Sequence, residues 1–417
     1  MLVQFLCSNF ASIRDQAILS LEPAADEAHP ENIVHDGSYS ALGEIAIYGA
    51  NASGKSNLFK AITYAINIVR ESHKRQVNEP IPVIPFKLDA TSHTKPSKFE
   101  FTFVAEDKRK YIYGFSADLF KVHEEYLYLS TPSGESMIFD RTGEKYEFAD
   151  DCREELESVQ DKNTYNKLFL STATFWNAKS TLIPYKWLSD GIDTFNNVYI
   201  SGTAIPRFIL SMYLEHGSKY TDFTKNLLKQ ADINIDDLDL ESPDPQNLQG
   251  SLNRHGGRND QMLMQQMSKI YAHHSVDGND DKEKNWLSLE EESLGTRMLF
   301  CYAPLIKQAL DLGKTLVIDE FERSIHPSLV KFLVNVFRSP EDNKHGAQLI
   351  FTTHETTLLS RSTFRLDQIY FTEKKYENAA TALYSLDEFK VSSKDDIEKG
   401  YLIGRFGAIP FLETEDF

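Results

Sequence analysis

The spacing of hydrophobic and polar positions changes along the first half of the chain, from a period of two to the helical period and back. Residues 1–22 alternate apolar and polar positions, which predicts two strands around a turn, and residues 45–49 predict a further short strand. Residues 55–72 carry an apolar stripe at the helical period. From 81 to 147 the period returns to two, with turns such as the one at 132–134. This pattern predicts an antiparallel β lobe inserted after the first helix.

The second half is helical at first and later alternates between helix and strand. Residues 150–231 have a mostly helical pattern, and a regular pattern of helices and strands resumes at 286. Between them, residues 242–260 are rich in Pro, Gly and Asn, and residues 277–285 form a charge run, so we predict flexible loops there. The sequence has no internal repeat and no sustained heptad pattern, which argues against a long coiled-coil arm.

Composition indicates a globular intracellular protein. Hydrophobic residues make up 41% and charged residues 25% of the 417 positions, which is typical of folded domains. No apolar run approaches the roughly 18 residues that span a bilayer, and the start "MLVQFLCSNF" does not have the features of a signal peptide. Cys7, Cys152 and Cys301 are widely spaced and odd in number, which favours a reducing compartment. We therefore predict a cytoplasmic location.

The net charge of −18 bears on the choice of partners. Proteins that bind nucleic acid by releasing counterions usually show a basic stripe. Here the short basic clusters are "HKR" at 73–75 and "KRK" at 108–110, and a solvated surface turn explains each of them at least as well. The charge leaves binding of nucleic acid in a local groove open, but it gives no argument for it.

The strongest motif is "IAIYGANASGKSN", which has the G-x-x-x-x-G-K-[ST] spacing of a phosphate-binding loop between a strand and a helix. Its glycines let backbone N–H groups turn toward an anion, and the helix N-terminus adds partial positive charge. Lys55 would contact the β- and γ-phosphates, and the hydroxyl of Ser56 would bind Mg²⁺. We predict that the nucleotide-binding segment comprises Gly49, Asn51, Ala52, Ser53, Gly54, Lys55, Ser56 and Asn57.

A second acidic motif follows in "GKTLVIDEFERSIHPSL", residues 313–329. Residues 315–318 predict a buried strand that ends in two carboxylates, Asp319 and Glu320. Asp319 would hold Mg²⁺, and Glu320 would act as the general base that activates water. Taken alone, the segment could be a strand followed by an acidic turn. With the phosphate loop upstream, the Asp-Glu pair favours hydrolysis of ATP over the single-Asp pattern of GTPases.

Two further segments are weak signals when taken alone, and their positions relative to the first two motifs make them informative. In "LSLEEESLGTRMLF" a helix start carries Ser293, Gly295 and Thr296, which offer a hydroxyl and free N–H groups to a phosphate. By itself this segment is a capped helix. In "QLIFTTHETTLL" a strand ends at a pair of threonines followed by His354, which by itself is a histidine in a polar turn.

These four motifs, in this order, resemble the ATP-binding-cassette (ABC) ATPase superfamily, in its soluble branch with RecF, Rad50 and the OLD proteins. The opening "NFASIRDQAILSL" resembles the start of that branch. The segments "ESLGTRML", "DEFERSIHPSL", "FTTHETTLL", "LDQIYFTEK" and "YLIGRFGAIP" resemble the AAA15-type ATPases of bacterial abortive-infection and antiphage systems, such as RloA, AbiL-type ATPases and the AriA component of PARIS. The similarity is dense at 1–70 and 285–417 and loose between them.

The resemblance implies a fold and roles for particular residues. The fold would be α/β, an ABC-ATPase (P-loop NTPase) head with an antiparallel β lobe and an inserted helical lobe. Ser293 and Gly295 would belong to the signature that contacts the γ-phosphate of a neighbouring chain, and His354 would be the switch histidine. Ser12 and Arg14 would lie near the nucleotide. The family's usual "ESDGT" is "ESLGT" here, which puts the contact of Leu294 with a partner in doubt.

The implied division of the chain has four parts. These are residues 1–80 as the N-terminal part of the head, 81–148 as the β lobe, 149–285 as the helical insertion, and 286–417 as the C-terminal part of the head. A Toprim nuclease domain like that of OLD proteins does not fit, because only 63 residues follow His354 and they contain no D-x-D. The Asp237-Leu238-Asp239 run is interpreted as a solvated turn.

The expected function is therefore a soluble ATPase that uses ATP and Mg²⁺ in a head-to-tail homodimer or higher oligomer. It would sense phage infection and control an effector protein in trans, a nuclease or another toxin. The alternative is a RecF- or Rad50-like DNA-binding ATPase of DNA repair or maintenance, which the acidic charge and the lack of a coiled-coil pattern disfavour. A membrane-transporter subunit fits least well. The sequence leaves open whether ATP binding or hydrolysis is the switch.

Overall fold

The computed structural model describes residues 1–131, 134–196, 205–241, 269–275, 285–392 and 394–410. The predicted loop at 242–260 lies outside these residues, as do most of the loop at 277–285 and part of the turn at 132–134. The chain divides into two compact units. The first comprises Met1–Phe195, Leu312–Phe321 and Val334–Phe417, and the second comprises Asn196–Asp311 and Glu322–Leu333.

The strands of the described residues, numbered in chain order, are β1 (Leu2–Ser8), β2 (Ala17–Ser20), β3 (Ile33–Asp36), β4 (Tyr39–Leu42), β5 (Glu44–Tyr48), β6 (Ser97–Val104), β7 (Lys110–Ala117), β8 (Val122–Thr131), β9 (Gly134–Thr142), β10 (Lys145–Phe148), β11 (Ile192–Asn196), β12 (Asp237–Glu241), β13 (Lys269–His273), β14 (Trp286–Ser288), β15 (Thr315–Asp319), β16 (Gln348–Thr352), β17 (Ile369–Lys374) and β18 (Thr381–Ser385). The α-helices are α1 (Lys55–Glu71), α2 (Arg153–Gln160), α3 (Phe169–Phe175), α4 (Lys179–Asp190), α5 (Arg207–His216), α6 (Ser218–Gln230), α7 (Leu294–Leu312), α8 (Pro327–Arg338) and α9 (Ile397–Leu402).

A six-stranded sheet forms the centre of the first unit, in the order β11-β15-β16-β5-β17-β18. Strands β15, β16, β5 and β17 run parallel, and β18 is antiparallel to β17. Every residue of β5, β15 and β16 is buried, which matches their continuous apolar sequences. Because parallel strands end at the same edge, this sheet places the segments after β5, β15 and β16 side by side.

A seven-stranded antiparallel sheet, in the order β10-β9-β8-β7-β6-β1-β2, accounts for the predicted β lobe. The N-terminal strands β1 and β2 belong to this sheet, and β1 pairs with β6. One hydrophobic cluster includes residues of both sheets and the apolar face of α1, such as Phe101, Ile62 and Ile350. The predicted helix at 55–72 and the predicted N-terminal strand pair are confirmed.

The second unit contains α5, α6 and a three-stranded antiparallel sheet in the order β12-β13-β14. The prediction that Asp237-Leu238-Asp239 forms a solvated turn is wrong, because these residues begin β12 and pair with β13. Leu238 lies opposite Ala272, so the alternation of apolar and acidic positions in "DLDLE" was a strand pattern.

The predicted fold class is confirmed: the protein is α/β, with a largely parallel sheet that carries the phosphate loop and an antiparallel β lobe. The four-part division of the chain stays a prediction. Within the described residues, no helix combines the length and the apolar character needed to cross a membrane.

A cavity of about 490 Å³ opens in the first unit beside the N-terminal ends of the parallel strands. Its lining includes Trp187, Lys314 and His345, the last two of which precede β15 and β16. The phosphate loop follows the opposite end of β5 and does not line this cavity.

The N-terminal end of β5 buries a carboxylate, Glu44. Its side chain is 1% exposed and lies 3.4 Å from the Arg338 guanidinium, and Gln368 donates a hydrogen bond of 2.7 Å to it. Burial raises the pKa of Glu44 to about 7, although Arg338 and Gln368 oppose this shift. The carboxyl therefore binds a proton more tightly in the folded chain than in the unfolded chain.

We predict that Glu44→Gln changes how the free energy of unfolding depends on pH. A raised folded pKa means that the wild type loses stability as pH rises from about 4.5 to about 7, by an amount on the order of 3 kcal/mol. Glutamine does not titrate. The free energy of unfolding of the variant minus that of the wild type should therefore rise as the pH increases from about 4.5 to about 7. Urea unfolding at several pH values measures the difference, and a flat difference would contradict the burial argument.

Asp89→Asn is the matched control. Hydrogen bonds from Ser92 and Thr91 lower the pKa of Asp89 to about 2. Its carboxyl is therefore ionised in both the folded and the unfolded chain above pH ~5. The stability difference between this variant and wild type should not depend on pH between about 5 and 8.

Candidate nucleotide site

The phosphate loop connects the end of β5 to the first turn of α1. Gly54 precedes the helix with a φ of 118°, a value that L side chains rarely adopt. A Cβ atom at Gly54 would also overlap the side chain of Thr381. Both the backbone conformation and the close approach of β18 therefore require glycine at this position. The first turn of α1 is left with N–H groups that can face an anion.

The lysine of the motif lies within the loop. The Lys55 side chain is buried, and its ammonium group donates to the carbonyl oxygens of Gly49 at 2.7 Å and Ala50 at 3.2 Å. Asn51 and Ala52 are exposed at the tip of the loop, where Ala52 has a positive φ of 62°. The predicted phosphate-binding residues are therefore brought together around one short turn.

The two strands on the other side of β5 from β16, namely β17 and β18, hold the loop in place. The hydroxyl of Thr372 on β17 lies 2.6 Å from the hydroxyl of Ser53. Thr381 on β18 donates to the Ser53 carbonyl at 2.8 Å. Thr381 also contacts the Ser12 hydroxyl at 2.7 Å, and Asn57 donates to that hydroxyl at 2.7 Å. These hydroxyl contacts tie the N-terminal segment, the loop and the C-terminal strands together.

The acidic motif lies beside the loop, as its sequence predicts. Asp319 ends the buried strand β15, and the Ser56 hydroxyl donates to its carboxylate at 3.3 Å. Thr352, at the end of β16, donates to the same carboxylate oxygen at 2.7 Å. The two hydroxyls fix Asp319 at the N-terminus of α1, where the partial charge of the helix favours an anion.

Glu320 adopts a left-handed backbone conformation with a φ of 54°. Its backbone N–H donates to the Thr352 hydroxyl at 2.8 Å, and the N–H of Phe321 donates to the Thr352 carbonyl at 3.0 Å. A positive φ at a residue with a side chain costs about 1 kcal/mol or more, so the neighbouring contacts must maintain it. This turn directs the chain away from the strand immediately after Asp319.

His354 lies at the same edge of the sheet. It is exposed and follows Thr353, whose N–H donates to the Ile47 carbonyl on β5 at 3.0 Å. Glu355 then accepts a hydrogen bond from Thr357 and begins a short 3₁₀ turn. The histidine therefore follows the strand that lies between the phosphate loop and the acidic motif.

Arg14, also predicted from the resemblance, forms an ion pair with Asp15 at 3.0 Å, and Asp15 lies 3.6 Å from Lys375. The Arg14 hydrogen bond is the largest cause that lowers the pKa of Asp15. Arg14 is two residues from Ser12, whose hydroxyl contacts the loop helix through Asn57. A role for Arg14 in nucleotide binding stays a prediction.

The predicted signature residues lie in the second unit. Ser293 caps α7: its hydroxyl accepts from the Thr296 N–H at 3.1 Å and lies 2.9 Å from the Thr296 hydroxyl. A Cβ atom at Gly295 would come within 2.7 Å of the Ser324 carbonyl, so this close approach requires glycine. Ser293 is exposed, and its role in binding a phosphate stays a prediction.

The oxygen groups beside the loop fit a magnesium ion. The Ser56 hydroxyl and the Asp319 carboxylate are hard oxygen donors, and they lie within hydrogen-bond distance of each other. Mg²⁺ in nucleotide sites usually takes one or two such protein ligands and completes its shell with phosphate oxygens and water. Ser56 and Asp319 are therefore the residues that would hold it.

A phosphate loop after one parallel strand, with an acidic strand end beside it, defines a P-loop ATPase domain. The sequence matches the family described as "AAA domain, putative AbiEii toxin, Type IV TA system" over residues 45–360. The chain belongs to this family. No curated protein matches the chain.

The solved structures that are similar to this chain share little sequence identity with it. The Smc head bound to the C-winged helix domain of ScpA is 12% identical, with a TM-score of 0.47 over 94% of this chain and 98% of that one. The Smc head with an extended coiled coil from Pyrococcus furiosus is 12% identical, with a TM-score of 0.43 over 96% and 98%. The recombination mediator RecF-ATPrS is 13% identical, with a TM-score of 0.36 over 92% and 98%.

Three threonines that build the site were not predicted to do so from the sequence. Thr352 could have been found, because a hydroxyl at the C-terminal end of a buried parallel strand lies at the ligand-binding edge of the sheet. Thr372 and Thr381 carry no local signal. Each contacts Ser53 across more than 300 positions of sequence, and only the strand pairing reveals these contacts.

We predict that Thr352→Val disturbs the site while Thr352→Ser preserves it. Valine has the same shape but removes the donor to Asp319 and the acceptor for the Glu320 N–H, which should lower the free energy of unfolding by about 1–3 kcal/mol. The ATPase rate should fall at least about tenfold, and serine should restore most of it. Urea unfolding and phosphate release measure the two effects. Equal rates for the valine and serine variants would contradict the role of the hydroxyl.

Proposed function

We propose that this protein binds and hydrolyses ATP in a head-to-tail dimer and thereby regulates an effector protein in bacterial defence. The observation that carries the proposal is the contact of both Ser56 and Thr352 with Asp319 beside the phosphate loop. This arrangement joins a phosphate site to a carboxylate at one edge of the sheet. Membership of a family named for abortive infection and toxin–antitoxin systems supports the biological setting.

In the proposed reaction, the backbone N–H groups of the loop and the Lys55 ammonium bind the β- and γ-phosphates of ATP. Mg²⁺, held by Ser56 and Asp319, would neutralise phosphate charge. Glu320 would take a proton from the attacking water as the water forms a bond to the γ-phosphorus, and the ADP oxygen would leave. His354 would contact the γ-phosphate from the end of the neighbouring strand.

The dimer is proposed because the two sets of predicted phosphate ligands belong to different units. The loop and the acidic motif lie in the first unit, and Ser293 and Gly295 lie in the second. In a head-to-tail pair, the signature of one chain would complete the site of the other. ATP would then hold two chains together, and its hydrolysis would release them.

The proposed partner is an effector in trans. Among the described residues, no group of histidine, cysteine, aspartate or glutamate side chains could hold a metal ion of the kind that nucleases use. The motifs described above would all serve ATP binding and hydrolysis. A regulated nuclease or another toxin would supply the activity that acts on the cell.

We predict that Glu320→Gln retains ATP binding and loses hydrolysis, whereas Lys55→Ala loses binding. Removing a general base typically lowers a rate about 10²- to 10⁴-fold. Phosphate release and equilibrium binding of a fluorescent ATP analogue separate the two effects. Glu341→Gln, the same change at an exposed residue after α8, is the matched control and should behave as wild type. A Glu320→Gln variant with the wild-type rate would refute the assigned base.

We also predict that ATP and Mg²⁺ increase the molar mass of the Glu320→Gln variant, as measured by light scattering. Adding Ser293→Arg should prevent the increase, because a long charged side chain would stand where the phosphate of the partner chain must enter. Ser136→Arg, on the exposed face of β9, is the control and should leave the increase unchanged. If Ser293→Arg associates as readily as the control, the signature assignment is wrong.

A further inference from the structure

An unusual set of large side chains is exposed on the first unit, away from the phosphate loop. We call it the aromatic patch, and it comprises Val77, Leu119, Phe120, Tyr165, Phe175 and Trp176. Phe120 is 69% exposed, Phe175 is 60% exposed and Trp176 is 48% exposed. Single exposed apolar residues are common, but a connected group of this kind usually marks an interaction surface.

Ring contacts and a hydrogen bond connect one end of the patch to its middle. The Phe175 ring stacks on His73 with a centroid distance of 4.9 Å, and it meets the Trp176 ring edge-on at 5.9 Å. His73 lies in the 3₁₀ turn Ser72–Lys74, which precedes the loop that carries Val77. Further along this loop, Asn78 accepts a hydrogen bond of 2.5 Å from the Tyr165 hydroxyl.

The other end of the patch is the β7–β8 turn. The Tyr165 carbonyl accepts from Val122 at 2.9 Å, which brings Tyr165 next to the turn that carries Leu119 and Phe120. The Leu119 carbonyl accepts a hydrogen bond of 2.8 Å from the N–H of Ile81. Ile81 follows Val77 in the same loop, so this bond connects the turn to that loop. The patch is therefore one surface built from three segments of the chain.

The backbone beneath the patch is held by buried hydrogen bonds. Asn166 is 1% exposed and donates to the carbonyls of Gln76 at 2.8 Å and Glu79 at 2.9 Å. The buried Ser72 hydroxyl accepts from the Leu168 N–H at 2.7 Å. A surface that is already ordered loses little conformational entropy when a partner binds, which favours binding.

The segments that carry the patch hold charges of both signs, but these charges differ in how they are paired. Glu79 lies 3.8 Å from Arg75, and Asp118 lies 2.7 Å from His123. Asp161 is exposed beside Lys162, and Lys121, Lys162 and Lys167 lie next to the patch without an ion pair to a carboxylate in the described part of the chain. The ammonium group of Lys162 lies 4.1 Å from the centroid of the Trp176 ring. A local group of free cations in a protein with a net charge of −18 favours an acidic partner at this site.

We propose that the aromatic patch is the docking surface for a protein partner that presents an acidic segment with aromatic or aliphatic side chains. Exposed aromatic residues are the usual energetic anchors of protein interfaces, and the rim of lysines would fix the register. A protein fits better than a single-stranded nucleic acid, because the patch includes the aliphatic side chains of Val77 and Leu119, which offer no stacking surface to a base. The proposal rests on the proposed function, since this surface would hold the effector.

The test is fluorescence anisotropy of a labelled peptide that alternates glutamate with leucine and phenylalanine, measured with the full chain without ATP. We expect binding that weakens as NaCl rises from about 0.05 M to about 0.3 M. The same peptide with lysine in place of glutamate should not bind. Phe120→Asp and Lys162→Glu should each weaken binding of the acidic peptide at least about tenfold.

Matched controls separate the patch from general effects of charge. Tyr376→Asp and Lys394→Glu make the same kinds of change at exposed residues outside the patch, and both should bind as wild type. Lys55→Ala should also bind the peptide normally, so a failure of ATP binding is distinguishable from a failure of docking. Phe120→Asp and Lys162→Glu should keep the wild-type ATPase rate, which reports that they are folded.

Three outcomes would overturn the proposal. The acidic peptide could fail to bind, or it could bind equally well to the Phe120→Asp and Lys162→Glu variants. A labelled oligothymidine could instead bind the wild type more tightly than the peptide and lose affinity in the same two variants. That last result would assign the patch to single-stranded nucleic acid.

Discussion

The parallel pairing of β16 between β5 and β15 is the constraint on which the site depends. Its register sets Thr352 opposite Ile47 and Phe351 opposite Ile318, so all three strands end together. The buried Gln348 fixes the other end of this arrangement. Its side chain donates to the carbonyls of Leu2 and Leu42 at 3.0 Å and accepts from the Thr315 hydroxyl at 3.0 Å. A slip in register would therefore break buried hydrogen bonds as well as displace Asp319.

The same pairing explains which features could be predicted from sequence. Apolar strands followed by Gly54-Lys55-Ser56 or by Asp319 carry a local signal, because the strand and its functional residue are adjacent in the chain. The alternating segments of the β lobe carry one as well. Contacts between distant segments carry no such signal, and nothing near Thr372 indicates that its hydroxyl meets Ser53. The strand β12 was predicted to be a turn because it lies between a helical segment and a predicted loop.

The buried carboxyl at the N-terminal edge of the parallel sheet lies in different surroundings from the carboxylate at its C-terminal edge. Glu44 lies where the strand enters the core, and burial raises its pKa to about 7. Asp319 lies beside the first turn of a helix and accepts hydrogen bonds from two hydroxyls. The two ends of the parallel sheet thus surround their carboxylates differently, and the phosphate loop lies with Asp319 at the C-terminal edge.

The residues that hold the phosphate loop extend beyond the family match. That match ends at 360, whereas Thr372 and Thr381 contact Ser53, and Ser12 contacts Thr381 and Asn57. Gly54 has no room for a side chain because β18 passes directly against it. The loop of this chain is therefore shaped by its first 20 residues and by the strands after 368 as much as by its own sequence. A truncation that keeps only the matched region would retain every nucleotide motif and lose the contacts that hold the loop in its binding conformation.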